Sequence, residues 1–122
     1  MECVFCKIIN GDFSSYKIYE DDKILAFLDI NPYCTGHTLI IPKDHTLDFN
    51  TIDRDTMIYI LDKAKDIAKL VVDRLHADGF TLIQNNGNVQ EVKHFHLHII
   101  PKYNNEEKLD IEEVYKKITQ EK

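Results

Sequence analysis

The stretch His94-Phe95-His96-Leu97-His98-Ile99-Ile100 alternates imidazoles with large apolar residues. Successive side chains of a β-strand point to opposite faces, so this period of two sets His94, His96 and His98 on one side and Phe95, Leu97 and Ile99 on the other. The run predicts a strand over 95–100 with one face in the core and a row of imidazoles on the other. Each imidazole titrates near about 6.5 when unperturbed and is available at neutral pH as nucleophile, base or metal ligand. Two readings compete: polar residues on a solvated face, where Thr, Lys or Glu are commoner, and a purely metal-binding row.

Around this strand the chain reads as strands, a helix, then strands. Lys23 to Asp29 and Thr38 to Ile41 are short, apolar and rich in branched or aromatic residues, with Asn31-Pro32 and Gly36 as turn signals between them, and read as paired strands. From Asp53 onward Met57, Ile60, Leu61, Ala64, Ile67, Ala68, Val71, Val72 and Leu75 recur at helical spacing. A long amphipathic helix follows, with Asp53 as cap and Gly79 as stop. Phe80 to Gln84 is a further strand, joined to the histidine strand by the polar loop Asn85 to Lys93. There is no internal repeat.

A chain of 122 residues fits one domain, 1–122, with 104–122 as a charged C-terminal helical extension. Leu109, Ile111, Val114, Tyr115 and Ile118 lie there among many Glu and Lys residues; a solvated helix competes with roles in dimerisation or in covering the site. No apolar run approaches the roughly 20 residues that cross a bilayer, so no membrane partner is expected. The net charge of −6 disfavours nucleic acid, whose backbone binds clustered Lys and Arg. The N-terminus lacks a basic segment ahead of an apolar one, so a cytoplasmic location is expected. Three cysteines argue against a disulfide framework and leave metal binding or free thiols, with Cys34 a small buried or half-buried thiol.

The run from His94 to Ile100 resembles the signature of the histidine triad family, His-x-His-x-His and two further residues with every x apolar. The resemblance extends to Phe5-Cys6-Lys7-Ile8-Ile9, Phe27-Leu28-Asp29-Ile30-Asn31-Pro32, Gly36-His37-Thr38-Leu39-Ile40-Ile41-Pro42-Lys43-Asp44-His45 and Asn85-Asn86-Gly87. The small zinc-containing bacterial members look most similar. The resemblance implies an α+β fold, with an antiparallel sheet of about five strands, one long helix and short terminal helices, and a homodimer built partly through the long helix. It also implies a hydrolase or nucleotidyl transferase acting at the α-phosphate of a nucleotide-containing small molecule.

In that scheme His96 attacks phosphorus and forms a covalent nucleotidyl-imidazole, dividing one displacement into two. His98 binds phosphate and delivers a proton to the leaving group, and His37 supports it from the neighbouring strand; a hydrogen-bonded core histidine is the competing reading of His37. Asp29 receives the ribose hydroxyls, with a turn-capping aspartate as the alternative. Phe5, Ile8, Phe27 and Ile30 resemble the apolar walls of the base pocket, where some could be core alone, and Asn85 and Gln90 match phosphate-loop positions. Two departures stand out. Only Asn88-Val89 separates Gly87 from Gln90, about two residues fewer than in the common family loop, and Glu91 stands where some relatives carry Ser or Thr.

Cys3-Val4-Phe5-Cys6 has the two-residue spacing of a zinc-binding thiolate pair, which needs two further ligands. Ordinary thiols compete with that reading. The resemblance supplies the other ligands, His45 and His94, and four protein ligands make a closed, structural zinc site. Phosphoramidates, aminoacyl nucleotides and dinucleoside polyphosphates all remain open as substrates. A nucleotide-binding regulatory or adaptor protein with little turnover is the reading from a different class.

Overall fold

The computed structural model describes residues 3–120. Its elements are α1 (Val4–Asn10), β1 (Lys17–Glu20), β2 (Ile24–Leu28), β3 (Thr38–Pro42), α2 (Arg54–Leu75), β4 (Gly79–Gln84), a single 3₁₀ turn at Gly87–Val89, β5 (Leu97–Lys102) and α3 (Ile111–Thr119). The strands form one antiparallel sheet in the order β1-β2-β3-β5-β4. This is the α+β architecture the resemblance implies.

Strands β2 and β3 are buried along their whole length because both faces of the sheet are covered. Ile24, Ala26, Leu28, Ile40, Leu97 and Ile99 pack with Ile60, Ala64, Ile67 and Val71 of α2. Leu25, Phe27, Leu39 and Ile41, one residue out of phase, pack with Phe5 and Ile8 of α1. The period of two thus sorts each strand between two cores, and the side covered by α1 is the one His98 shares with its partner in register, Leu39.

Two local expectations need correction. Helix α2 ends at His76, in the left-handed region at φ 56°, while Gly79 is the first residue of β4. The Ala77 amide donates to the Val72 carbonyl, so the 6→1 bond of a Schellman cap closes the helix without glycine. The histidine strand begins at Leu97, not at Phe95. His94 and Phe95 are held instead by irregular bonds: the His94 amide donates to the Val92 carbonyl and the Phe95 amide to the Thr46 carbonyl. At the start of α2, Asp53 holds the cap position, but its side chain makes no capping bond.

The C-terminal segment is integrated with the rest. Val114 and Ile118 of α3 are buried in the core beside α2. The Thr35 amide donates to the Glu106 carboxylate at 2.9 Å, the Thr35 hydroxyl to the Glu107 carbonyl at 2.9 Å, and the Tyr103 hydroxyl to the Thr35 carbonyl at 2.7 Å. These bonds fix the turn that delivers His37. Gly36, next to it, lies at φ +90°, and a Cβ there would strike the side chain of Leu75, so both backbone and space require glycine. Among the described residues no helix is long and apolar enough to cross a membrane.

Candidate active site

A cavity of about 850 Å³ opens on the α1 side of the sheet. Phe5 and Ile8 of α1, Phe27 of β2 and Leu39 of β3 give it apolar walls, and His96, His98, Asp29, Ile30, Tyr33 and Glu91 also line it. Phe5 is the pivot: its ring meets Phe27 edge-on at 5.6 Å, His96 at 5.0 Å and His94 at 5.7 Å. The helix that walls the cavity therefore also positions the histidines.

Hydrogen-bond partners dictate the tautomers. A carbonyl oxygen only accepts, so the 2.8 Å contact from His96 Nδ1 to the His94 carbonyl puts the proton on Nδ1. Nε2 of His96 then keeps its lone pair, and it has no hydrogen-bond partner among the described residues. The Tyr33 amide donates to His37 Nδ1 at 3.1 Å, so the His37 proton sits on Nε2 and is donated to His98 Nδ1 at 2.8 Å. His98 must then carry its own proton on Nε2, a buried atom without a partner. The result is a lone pair on His96 beside an unused N–H on His98, their rings 4.8 Å apart.

Burial keeps these rings neutral. Desolvation, reinforced by His96 and His37, lowers the pKa of His98 to about 4. Desolvation also lowers His96, against the opposing effects of its bond to the His94 carbonyl and the charges of Asp29 and Glu91. In His37 it outweighs the Asp29 carboxylate. That carboxylate lies 3.7 Å from His37 Nδ1, too far to compete with the Tyr33 amide.

Asp29 lies at the cavity with one oxygen committed: Oδ1 accepts from the Asn31 amide at 2.9 Å, making the turn before Pro32. Ile30 lines the cavity but is 72% exposed. Asn85 and Gln90 are not brought to it. Gln90 is buried with its amide donating to the Leu47 carbonyl at 2.6 Å, and its own backbone N–H closes the 3₁₀ turn on Gly87. Sequence reasoning passed over Tyr33, whose ring lies 4.8 Å from that of His37 and 6.3 Å from that of His98. Its signal was an aromatic residue directly after a turn proline.

Next to the cavity Cys3, Cys6, His45 and His94 converge, with one ligand atom from each all within 4.8 Å of one another. His94 Nε2 donates to the Pro42 carbonyl at 2.8 Å, which leaves Nδ1 unprotonated, 3.4 Å from Cys3 Sγ and 3.7 Å from Cys6 Sγ. His45 Nδ1 lies 3.2 Å from Cys6 Sγ. Tetrahedral zinc with bonds of about 2.0–2.3 Å separates its ligand atoms by roughly 3.5 Å. Donor types, spacing and the orienting carbonyl behind His94 all suit such an ion.

A five-stranded antiparallel sheet backed by one long helix, with a His-x-His-x-His segment at the mouth of an apolar cavity, defines the histidine triad class of α+β proteins. The HIT domain family model matches residues 10–105. A HIT-like protein of Methanocaldococcus jannaschii is 41% identical, covering 95% of this chain and 98% of its own. An adenosine 5'-monophosphoramidase of Schizosaccharomyces pombe is 40% identical over 87% of this chain and 78% of its own. The crystal structure of a zinc-bound histidine triad family protein from Mycobacterium smegmatis superimposes with a TM-score of 0.90 at 38% identity, covering 98% of this chain and 91% of that one. The chain belongs to the HIT family.

Proposed function

We propose that this protein is a nucleotide hydrolase that cleaves at the α-phosphate through a covalent nucleotidyl intermediate on His96. The observation that carries this reading is the pair of tautomers: a neutral His96 with its Nε2 lone pair uncommitted beside a His98 N–H without a partner. The first is a nucleophile that needs no prior deprotonation. The second is a donor already aimed for a phosphate oxygen or a leaving group. The ribose lies against the uncommitted oxygen of Asp29 and the base between Phe5, Ile8, Phe27 and Ile30. The phosphoramidase among the relatives favours nucleoside phosphoramidates as substrates.

Cys3, Cys6, His45 and His94 hold a structural zinc in this reading. The ion supplies a closed tetrahedral cross-link and takes no part in the displacement. The protein works as a homodimer. Phe80 and Leu82 of the edge strand β4 and Ile58 and Leu61 of α2 are exposed apolar residues, and the pairing of Leu82 with Ile99 puts the β4 pair on the α2 side of the sheet.

The test is turnover of adenosine and guanosine phosphoramidates and dinucleoside polyphosphates, followed by quenching with substrate labelled at the α-phosphate. Acid-labile label on His96 is the expected result. Nucleotide binding without turnover of any of them would make the protein a binding or adaptor module instead.

A further inference from the structure

We propose that Glu91 makes the leaving-group end of the cavity selective for amines that bear a positive charge and unfavourable to polyphosphate leaving groups. This rests on the hydrolase reading above and concerns only the group that departs. Among the described residues, those lining the cavity include three carboxylates, Asp12, Asp29 and Glu91, and no Lys or Arg. A substrate whose leaving group is a polyphosphate would bring several negative charges to these carboxylates.

The three carboxylates are not equivalent. Asp29 is engaged in its turn through Oδ1, and Asp12 follows α1, whose Phe5 and Ile8 form the apolar wall. Glu91 is exposed, lies on the segment entering the histidine run, and has neither a hydrogen bond nor an ion pair among the described residues. The nearby Lys93 makes no ion pair with it; its Nζ donates to the Gly87 carbonyl at 2.7 Å. Glu91 lines the same cavity as His96 and His98, so its carboxylate and the group that leaves the phosphorus attacked by His96 share one cavity.

In the step itself His96 Nε2 bonds to the α-phosphorus, and the P–N bond breaks with its electron pair on nitrogen. The departing nitrogen takes its proton from solvent, while the neutral His98 keeps its Nε2 proton and donates a hydrogen bond to a phosphate oxygen. Water then bonds to phosphorus as the P–Nε2 bond breaks and gives its proton to solvent, yielding the nucleoside monophosphate and free amine. A second, ammonium-bearing end on that amine lies where Glu91 attracts it, and a carboxylate or polyphosphate there is repelled.

The experiment compares kcat/KM for three adenosine 5'-phosphoramidates of similar length, made from ethylenediamine, propylamine and β-alanine, and for diadenosine tetraphosphate. The expected order is cationic, neutral, anionic, with the tetraphosphate slowest and about tenfold per unit charge. Intrinsic reactivity of the amides differs but is the same for every variant, so the change in ratio reads Glu91. Glu91→Gln should collapse the cationic-to-anionic ratio and Glu91→Lys should invert it. In the wild type the same ratio should shrink as added salt cuts the screening length to about 3 Å, which decides the matter if a variant misfolds. Ratios unchanged by Glu91→Gln and by salt overturn this proposal alone; no turnover of any amide overturns the hydrolase reading together with it.

Discussion

His37 Nε2 lies 2.8 Å from His98 Nδ1, and the direction of that hydrogen bond is fixed from outside the pair by the Tyr33 amide at 3.1 Å. The pair exists because β3 and β5 are adjacent and antiparallel, with Leu39 opposite His98 and the turn at Gly36 swinging His37 in behind it. His37 has no place on the cavity wall, yet it determines which nitrogen of His98 carries the proton.

His37→Ala should therefore lower kcat by roughly 10- to 100-fold, with KM little changed, because His98 can then place its proton on either nitrogen. His37→Gln, whose amide can still donate, should recover part of the loss. The measurement is steady-state turnover on a phosphoramidate, with circular dichroism to check the fold. An unaltered kcat in the folded Ala variant would return His37 to a core histidine.

The histidine row was legible because its period of two against apolar residues is a local pattern, and β2, β3, β4 and α2 were legible for the same reason. Strand β1 went unread: Lys17–Glu20 is short and only partly buried, so its alternation is weak. The end of α2 was misplaced because a non-glycine residue, His76, takes the left-handed conformation. The tautomers were hidden altogether, since they depend on carbonyls at Pro42 and His94 and on an amide at Tyr33 that only the folded chain brings near. The partner of Gln90 was equally hidden: its sequence position suggests the phosphate, and in the fold its amide donates to the Leu47 carbonyl.

The pH dependence follows from burial. The neutral His98 ring is the native form, and its pKa of about 4 lies below the unfolded value of 6.5. The unfolded chain thus binds more protons between those values, so stability is full above 6.5 and is lost as pH falls toward 4. The loss is on the order of 3 kcal/mol. Denaturant unfolding from pH 7 to 4 should show this decline in the wild type and a shallower one in His98→Gln; parallel curves would contradict it.

Asp29 separates two roles that alanine would confuse. Asp29→Asn keeps a carbonyl oxygen for the Asn31 amide and removes the charge offered to a ribose diol. The wild type should favour ribo over 2',3'-dideoxy nucleotides by about tenfold or more, since charge-assisted bonds contribute about 1.5–3 kcal/mol each. In Asp29→Asn that ratio should fall toward one while the melting temperature stays near the wild-type value. Equal affinities in the wild type, measured by calorimetry, would leave Asp29 as a turn residue only.

The assembly is tested at the edge strand. Leu82→Lys and Phe80→Glu place charges on exposed apolar positions of β4 without touching the cavity. Light scattering on the wild type should give twice the chain mass, and the double variant should shift toward one. A monomeric wild type at micromolar concentration would end the dimer proposal.

The zinc prediction draws on contacts between residues far apart in the sequence. Cys6 lies on α1, Cys3 caps that helix and accepts from the Cys6 amide at 3.4 Å, His45 follows β3, and His94 precedes β5. An ion held by these four ties α1 to both central strands and so stabilises only the folded chain. Burial and the neighbouring Cys3 raise the Cys6 thiol above its ordinary range, so the metal must displace a proton there, and affinity should fall as pH drops. Purified protein should hold about one zinc per chain, and chelation should lower the melting temperature by roughly 10 °C or more, a fraction of the 10–16 kcal/mol that structural zinc contributes in small peptides. Because α1 also carries Phe5, chelation should weaken nucleotide binding as well, through the ring that touches His96. Cys3→Ser and His45→Ala should lose the metal and His96→Ala should keep it, by elemental analysis under reducing, chelator-free conditions. A full complement of zinc in Cys3→Ser, or none in the wild type, would rule out the four-ligand site and leave the His96 chemistry to stand on its own tautomer.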